Sequence, residues 1–271
     1  MPYAAVEYLY WLTIAGFFAL YLRLRRQGLH RTYRMFAAYV LFRTVREVAL
    51  AAAPPLWYGL IHHQHYERFG NNVYAYGYTF TQPIDWVLKV LVVLELYSLV
   101  FQNYKGLASM SRWAVIGGLT IAVLLSSLPL SAELSHSAQQ QIIVRCDLVV
   151  SRGLDASLVV FLLLISAFLA WFPVPLSRNI VVYSWVYAVY FIVGAIGNLV
   201  DNLGGERLWS VASVALVGKD LVCIGLWAWL LNRAGESKTV VVRHAWTPQR
   251  EEQLVAQLTA INASLTRSAR R

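Results

Sequence analysis

Apolar stretches of about 20 residues recur along the whole chain, and each is long enough to cross about 30 Å of hydrocarbon as a helix. Seven such spans are expected, at residues 5–24, 33–53, 80–101, 113–130, 141–172, 180–200 and 208–231. The fifth is overlong, and its most apolar part is 157–171. Only 14% of residues are charged, against about 25% in a soluble domain. The fold expected is therefore all-α: a polytopic membrane helix bundle occupying residues 1–232. A tail over 233–271 follows, with an amphipathic helix at about 248–267. In that helix Leu254, Leu258, Ile261 and Leu265 form one apolar stripe, opened by Thr247 and Pro248. KTVVVRH, before it, reads as a short strand.

Basic residues fix an orientation. Fifteen Lys and Arg lie on the side of the tail and of the first, third and fifth connections, against Arg68 and Arg207 on the other. The N-terminus is then outside, the C-terminus cytoplasmic, and the protein sits in the inner (plasma) membrane. The start of the chain lacks a basic n-region and carries Glu7, so it reads as uncleaved. The net charge of +9 sits beside the spans, so the expected surface partner is a bilayer with anionic headgroups, not nucleic acid.

The spans also hold charges. Six basic residues (Arg43, Arg46, Lys89, Arg145, Arg152, Lys219) face six acidic ones (Glu47, Asp85, Glu95, Asp147, Asp155, Asp220). Each would cost about 2.5–3.5 kcal/mol against lipid at mid-membrane, so they should turn inward and pair. Arg43 with Glu47, Asp85 with Lys89 and Arg152 with Asp155 share helix faces by spacing. Arg46, Glu95 and Lys219 have no obvious partner, and Asp220 points about 100° away from Lys219 on its helix. Because spans 2, 3, 5 and 7 carry these groups, they should line a polar interior, with spans 1, 4 and 6 nearer lipid. Tyr183, Trp185, Tyr187 and Tyr190 of span 6 are within reach of that interior. The ligand or ion-binding candidates are Arg43, Arg46, Glu47, Asp85, Lys89, Glu95, Arg152, Asp155, Lys219 and Asp220.

Other chemistry finds less support. No GxSxG, P-loop or GxGxxG occurs, so no catalytic residue is expected and the protein reads as a non-enzyme without a cofactor. His62 and His65 in the HHQH of the long connection 54–78 are weak metal candidates. Cys146 and Cys223 form no CxxC pair. Gly194 and Gly197 read as close helix contacts.

Seven spans with an outer N-terminus resemble the microbial rhodopsins. Asp85-Trp86 resembles that family's counterion–tryptophan pair, Lys219 after Gly218 resembles its retinal-binding lysine, and Trp185 and Tyr187 resemble pocket aromatics. The resemblance implies a retinal pigment. Ala215, Gln82 and Lys89 depart from the family's pattern, and span 6 lacks its internal proline.

The leading expectation is a non-enzymatic sensor or receptor-like membrane protein. Its polar intramembrane pocket binds a small molecule, and its cytoplasmic helix docks a partner or a second copy. The alternatives are a small-solute or proton-coupled transporter working through Glu95 and Lys219, a structural subunit of a membrane complex, and the retinal protein.

Overall fold

The computed structural model describes residues 3–60, 66–101, 117, 120, 139–171, 176–240 and 248–268. Its architecture is all-α. The described helices are α1 (Tyr3–Arg26), α2 (Arg34–Leu60), α3 (Tyr66–Val100), α4 (Gln139–Trp171), α5 (Arg178–Leu230), the short α6 (Arg233–Ser237) and α7 (Pro248–Ser268), with a 3-10 turn at Leu29–Arg31. Two-residue strands β1 (Leu176–Ser177) and β2 (Thr239–Val240) pair antiparallel, so the strand expected in KTVVVRH forms over two residues. Gly28, at φ 74°, turns the chain between α1 and α2; a side chain would be strained there.

α5 cannot be straight. Its 53 residues would extend about 80 Å at 1.5 Å per residue. Yet the rings of Tyr187 and Trp227 lie 4.8 Å apart, and Cys223 Sγ lies 4.0 Å from the Val186 carbonyl. The segment therefore doubles back as two antiparallel limbs. The limbs meet most tightly at Gly197, where an added Cβ would lie 2.6 Å from Leu216 Cδ2. They correspond to the expected sixth and seventh spans.

Cross-helix contacts give the remaining directions. α1 and α2 run antiparallel, as do α2 and α3: Tyr10 meets Glu47, Phe17 meets Arg43, Arg46 meets Thr81, and Met35 meets Glu95. α3 and α4 run parallel, because Gln82 meets Ser151, Lys89 meets Asp155 and Tyr97 meets Phe161. The connection between them thus begins at one end of the bundle and finishes at the other. The expected fourth span falls in this connection, outside the described residues apart from Gly117 and Thr120.

Three expectations need correction. The connection 54–78 is largely helical: α2 continues to Leu60 and α3 begins at Tyr66. Pro83, which a third span starting at residue 80 would place in its first turn, lies well inside α3. Near it, the Gly77 and Tyr78 carbonyls accept from Thr81 Oγ1, and Arg46 Nη2 also donates to the Tyr78 carbonyl. Finally, span 6 is not merely peripheral. As expected, Tyr183, Tyr187 and Tyr190 reach the interior, where with Phe191 they pack among Phe36 and Trp227 at the centre of the core. Trp185 points out, 69% exposed, on a face shared with exposed Val189, Ile192 and Ile196.

Among the described residues, Arg178–Gly197 is the one stretch both long and apolar enough by composition to cross a membrane, with mean hydropathy 1.9 over 20 residues. Gly153–Ala167 is apolar but shorter. α2 and α3 miss that composition where Arg43, Arg46, Glu47, Asp85, Lys89 and Glu95 interrupt them.

Candidate functional site

Four helices bring their ionisable residues to one level. α2 contributes Arg43, Arg46 and Glu47, α3 contributes Asp85 and Lys89, α4 contributes Asp155, and the second limb of α5 contributes Lys219 and Asp220. These eight groups, four of each sign, cancel when ionised.

Six of them form an arc of alternating charge. Lys219 Nζ is 3.2 Å from Asp220 Oδ1, and Asp220 Oδ2 accepts from Arg43 Nη2 at 2.9 Å. Arg43 Nη1 lies 3.7 Å from Asp85 Oδ1. Asp85 Oδ2 is 3.3 Å from Lys89 Nζ, which donates to Asp155 Oδ1 at 3.3 Å. Glu47 joins from the side, 3.5 Å from Arg43 and accepting from the Tyr10 hydroxyl at 2.9 Å. Two of the three spacing-based pairs, Arg43 with Glu47 and Asp85 with Lys89, are therefore present; the third, Arg152 with Asp155, involves a side chain outside the described residues.

The three residues without an obvious partner all have one. Arg46 donates to Thr81 Oγ1 at 2.8 Å and to Gln82 Oε1, lies 3.7 Å from Asp85, and stacks over the Tyr78 ring. Lys219 sits 3.9 Å above the Tyr190 ring and pairs with Asp220. The 100° between their Cα positions is bridged by the flexible lysine stem, so Asp220 does not point away as the helical spacing suggests. Glu95 belongs elsewhere: it accepts from the backbone N–H of Met35 and Phe36, at 2.9 and 3.1 Å, and so caps the start of α2. A carboxylate there satisfies orphan donors and complements the helix dipole.

Of the remaining candidates, Asp155 pairs with Lys89, while the side chain of Arg152 is outside the described residues, as are His62 and His65. No metal-ligating cluster occurs among the described residues.

Ser151 and Tyr39 carried no signal in the sequence, whereas Tyr190 and Gly194 were expected to reach the interior and to mark a close helix contact. Ser151 Oγ accepts from Trp86 Nε1 at 3.0 Å and from Gln82 Nε2 at 3.3 Å. The hydroxyls of Tyr39 and Tyr190 are 2.8 Å apart. Gly194 is where α4 reaches α5, because Asp155 Oδ2 would lie 2.8 Å from its added Cβ. Small neutral groups of this kind become informative only once the charged helices are placed side by side.

A cavity of about 150 Å3 opens among these groups, lined by Arg43, Asp85, Lys89, Asp155, Lys219 and Asp220 together with Tyr190 and Gly194. At about 30 Å3 per water it has room for roughly five waters or one small polar solute. Both carboxylate oxygens on its wall that make no hydrogen bond lie against cations, Asp220 Oδ1 at 3.2 Å from Lys219 Nζ and Asp85 Oδ1 at 3.7 Å from Arg43 Nη1 and Arg46 Nη1. A charged lining of this kind favours a polar occupant.

A second polar cluster lies at the base of the bundle. The Tyr33 hydroxyl donates to Glu236 Oε1 at 2.6 Å, and Asn179 Nδ2 donates to the same oxygen at 2.7 Å and to the Asn232 carbonyl at 2.8 Å. The β1–β2 pair and the bond from Arg178 N to the Lys238 carbonyl complete this clasp. It holds the segment after α5 against α2 and the first limb of α5.

No family model, curated protein or solved structure matches this chain.

Proposed function

We propose that this chain is a multi-pass membrane protein with seven spans, its N-terminus outside and its tail in the cytoplasm, acting as a non-enzymatic receptor for a small polar solute. The carrying observation is the cavity bounded by six ionisable residues from four helices. α2 and α5 link this pocket to the base. They supply Arg43, Lys219 and Asp220 to the pocket, and also Tyr33 at the foot of α2 and Asn179 to the clasp on Glu236. A solute that shifts α2 against α5 would therefore move the tail.

The outer surface supports a lipid environment. Val45, Val48, Val87, Leu163, Leu164 and Val222 are exposed at the level of the charges or close to it. Exposed tyrosines and tryptophans gather at two ends, Tyr8, Trp11 and Tyr76 at one and Trp185 and Trp229 at the other, while exposed Phe18 lies at the level of the charges. Lipid-facing apolar surface between aromatic girdles is what a bilayer selects. An aqueous surface rarely carries such extended apolar patches.

Two measurements test the proposal. Cysteine placed at Ser237 should react with a membrane-impermeant maleimide only in opened cells, and cysteine at Tyr8 in intact ones. A panel of small polar solutes should raise the unfolding temperature of the purified protein, with the effect lost in Lys89→Met. Solute flux in proteoliposomes would turn the reading to the transporter. Labelling of Ser237→Cys in intact cells would overturn the orientation.

A further inference from the structure

We propose that the solute taken by this pocket is a small zwitterion of the α-amino-acid class, held with its ammonium at Asp155 and its carboxylate at Lys219. The inference rests on the pocket reading above and names its ligand.

The alternating arc runs Lys219, Asp220, Arg43, Asp85, Lys89, Asp155, each joined to the next. Its two ends approach one another across Gly194. Asp155 Oδ2 and Lys219 Nζ lie 2.8 and 3.8 Å from the same point, the position of an added Gly194 Cβ, so at most 6.6 Å separates them. They form no ion pair. The ends of the arc are thus an acceptor and a donor of opposite charge, facing the same small space.

Charge balance selects the ligand. Among the described side chains the eight ionised groups cancel, so a simple anion or cation would leave them with one net charge in the pocket. Burying an unpaired charge is costly. A zwitterion adds no net charge. Its ammonium and carboxylate are adjacent, so it can lie antiparallel to the Asp155–Lys219 dipole and satisfy both ends at once. A neutral polar solute would fit the balance but forgo both charge-assisted hydrogen bonds, which are about twice as strong as neutral ones. The cavity volume of about 150 Å3 keeps the side chain small. Gly194 sets the near wall: any side chain there would occupy the place where the two ends meet.

Isothermal titration of the purified full-length chain tests this with four matched probes: alanine, propionate, ethylammonium and lactamide. Alanine should bind at least tenfold more tightly than the other three. Asp155→Asn and Lys219→Met should each abolish that preference. Either variant could fold poorly, so Gly194→Ala, which keeps every charge, provides the second arm. It should retain the native unfolding temperature within a few degrees yet lose alanine binding. Propionate or ethylammonium binding as tightly as alanine, with sensitivity to Lys219→Met, would overturn the zwitterion while leaving the pocket in place. Failure of all four probes, together with an unresponsive wider solute panel, would remove the pocket reading itself. Alanine binding unaffected by all three substitutions would place the ligand elsewhere and overturn the inference.

Discussion

Arg43 on α2 donates to Asp220 on α5 through Nη2 at 2.9 Å, the shortest ion pair between described residues, and it bridges helices 177 positions apart in sequence. Asp220 simultaneously holds Lys219. Asp220→Asn therefore takes from Lys219 the one ion pair it makes among the described residues and leaves Arg43 with Glu47 and Asp85 alone, and breaking a buried pair of this kind costs about 3 kcal/mol. Reversible unfolding in mixed micelles should report that loss. Adding Lys219→Met removes one orphaned cation, so the double variant should be destabilised by less than the sum of the single ones. Simple additivity would mean that Asp220 does not hold Lys219 energetically.

Glu95 makes a separate prediction because it serves α2 rather than the pocket. Its carboxylate accepts from two backbone N–H groups at the start of that helix. Glu95→Ala should lower stability by about 1 kcal/mol, the usual cost of losing a helix cap. Glu95→Gln keeps an acceptor oxygen and should lose less than half of that. Neither variant should change solute binding, since Glu95 does not line the cavity.

The turn-back of α5 depends on a close approach. Gly197 faces Leu216, where an added Cβ would sit 2.6 Å from Cδ2. Gly197→Val forces the limbs apart and should cost about 1–3 kcal/mol, the range for overpacking a filled core. Leu216→Ala in the same chain makes room and should recover part of the loss. Thermal unfolding of Gly197→Val, Leu216→Ala and the double variant distinguishes this from a general intolerance of change at residue 197.

Much of the helical architecture could be read from the sequence, because apolar length and helical periodicity are local. The same locality made Arg43 with Glu47 and Asp85 with Lys89 legible: partners four apart share a face whatever surrounds them. Partners on different helices were not legible. Nothing near Glu95 announces that it caps α2, and nothing near Asp155 announces Lys89. The spacing argument failed for Lys219 and Asp220 because it positions Cα atoms, whereas a lysine stem can swing its ammonium back beside an adjacent carboxylate. Span 6 looked peripheral because it lacks charge. One face of it is central because its tyrosines pack edge-to-face on Phe36 and at a tilt on Trp227, and aromatic burial leaves no mark in a count of ionisable groups.

The clasp at the base carries the prediction most directly tied to signalling. Glu236 Oε1 accepts from Tyr33 and from fully buried Asn179, at 2.6 and 2.7 Å. Glu236 is the only described link by which the tail reaches the Tyr33 hydroxyl at the foot of α2. Glu236→Ala removes both bonds and strands the Tyr33 hydroxyl, at about 1–3 kcal/mol for a buried group left unsatisfied, while Asn179 Nδ2 keeps the Asn232 carbonyl. The loss should fall on the tail rather than on the whole bundle, since the core of aromatic and charged contacts lies above it. Limited proteolysis should then cut after Lys238 faster in the variant than in the parent chain, while the main unfolding transition moves little. Gly235→Ala offers an independent route to the same state, because an added Cβ there would collide with Asn179 Oδ1. If the clasp is the element the pocket acts upon, solute binding should change the cleavage rate at Lys238 in the parent chain and leave it unchanged in Glu236→Ala. A rate that responds to solute equally in both chains would show that the tail is reached by another route.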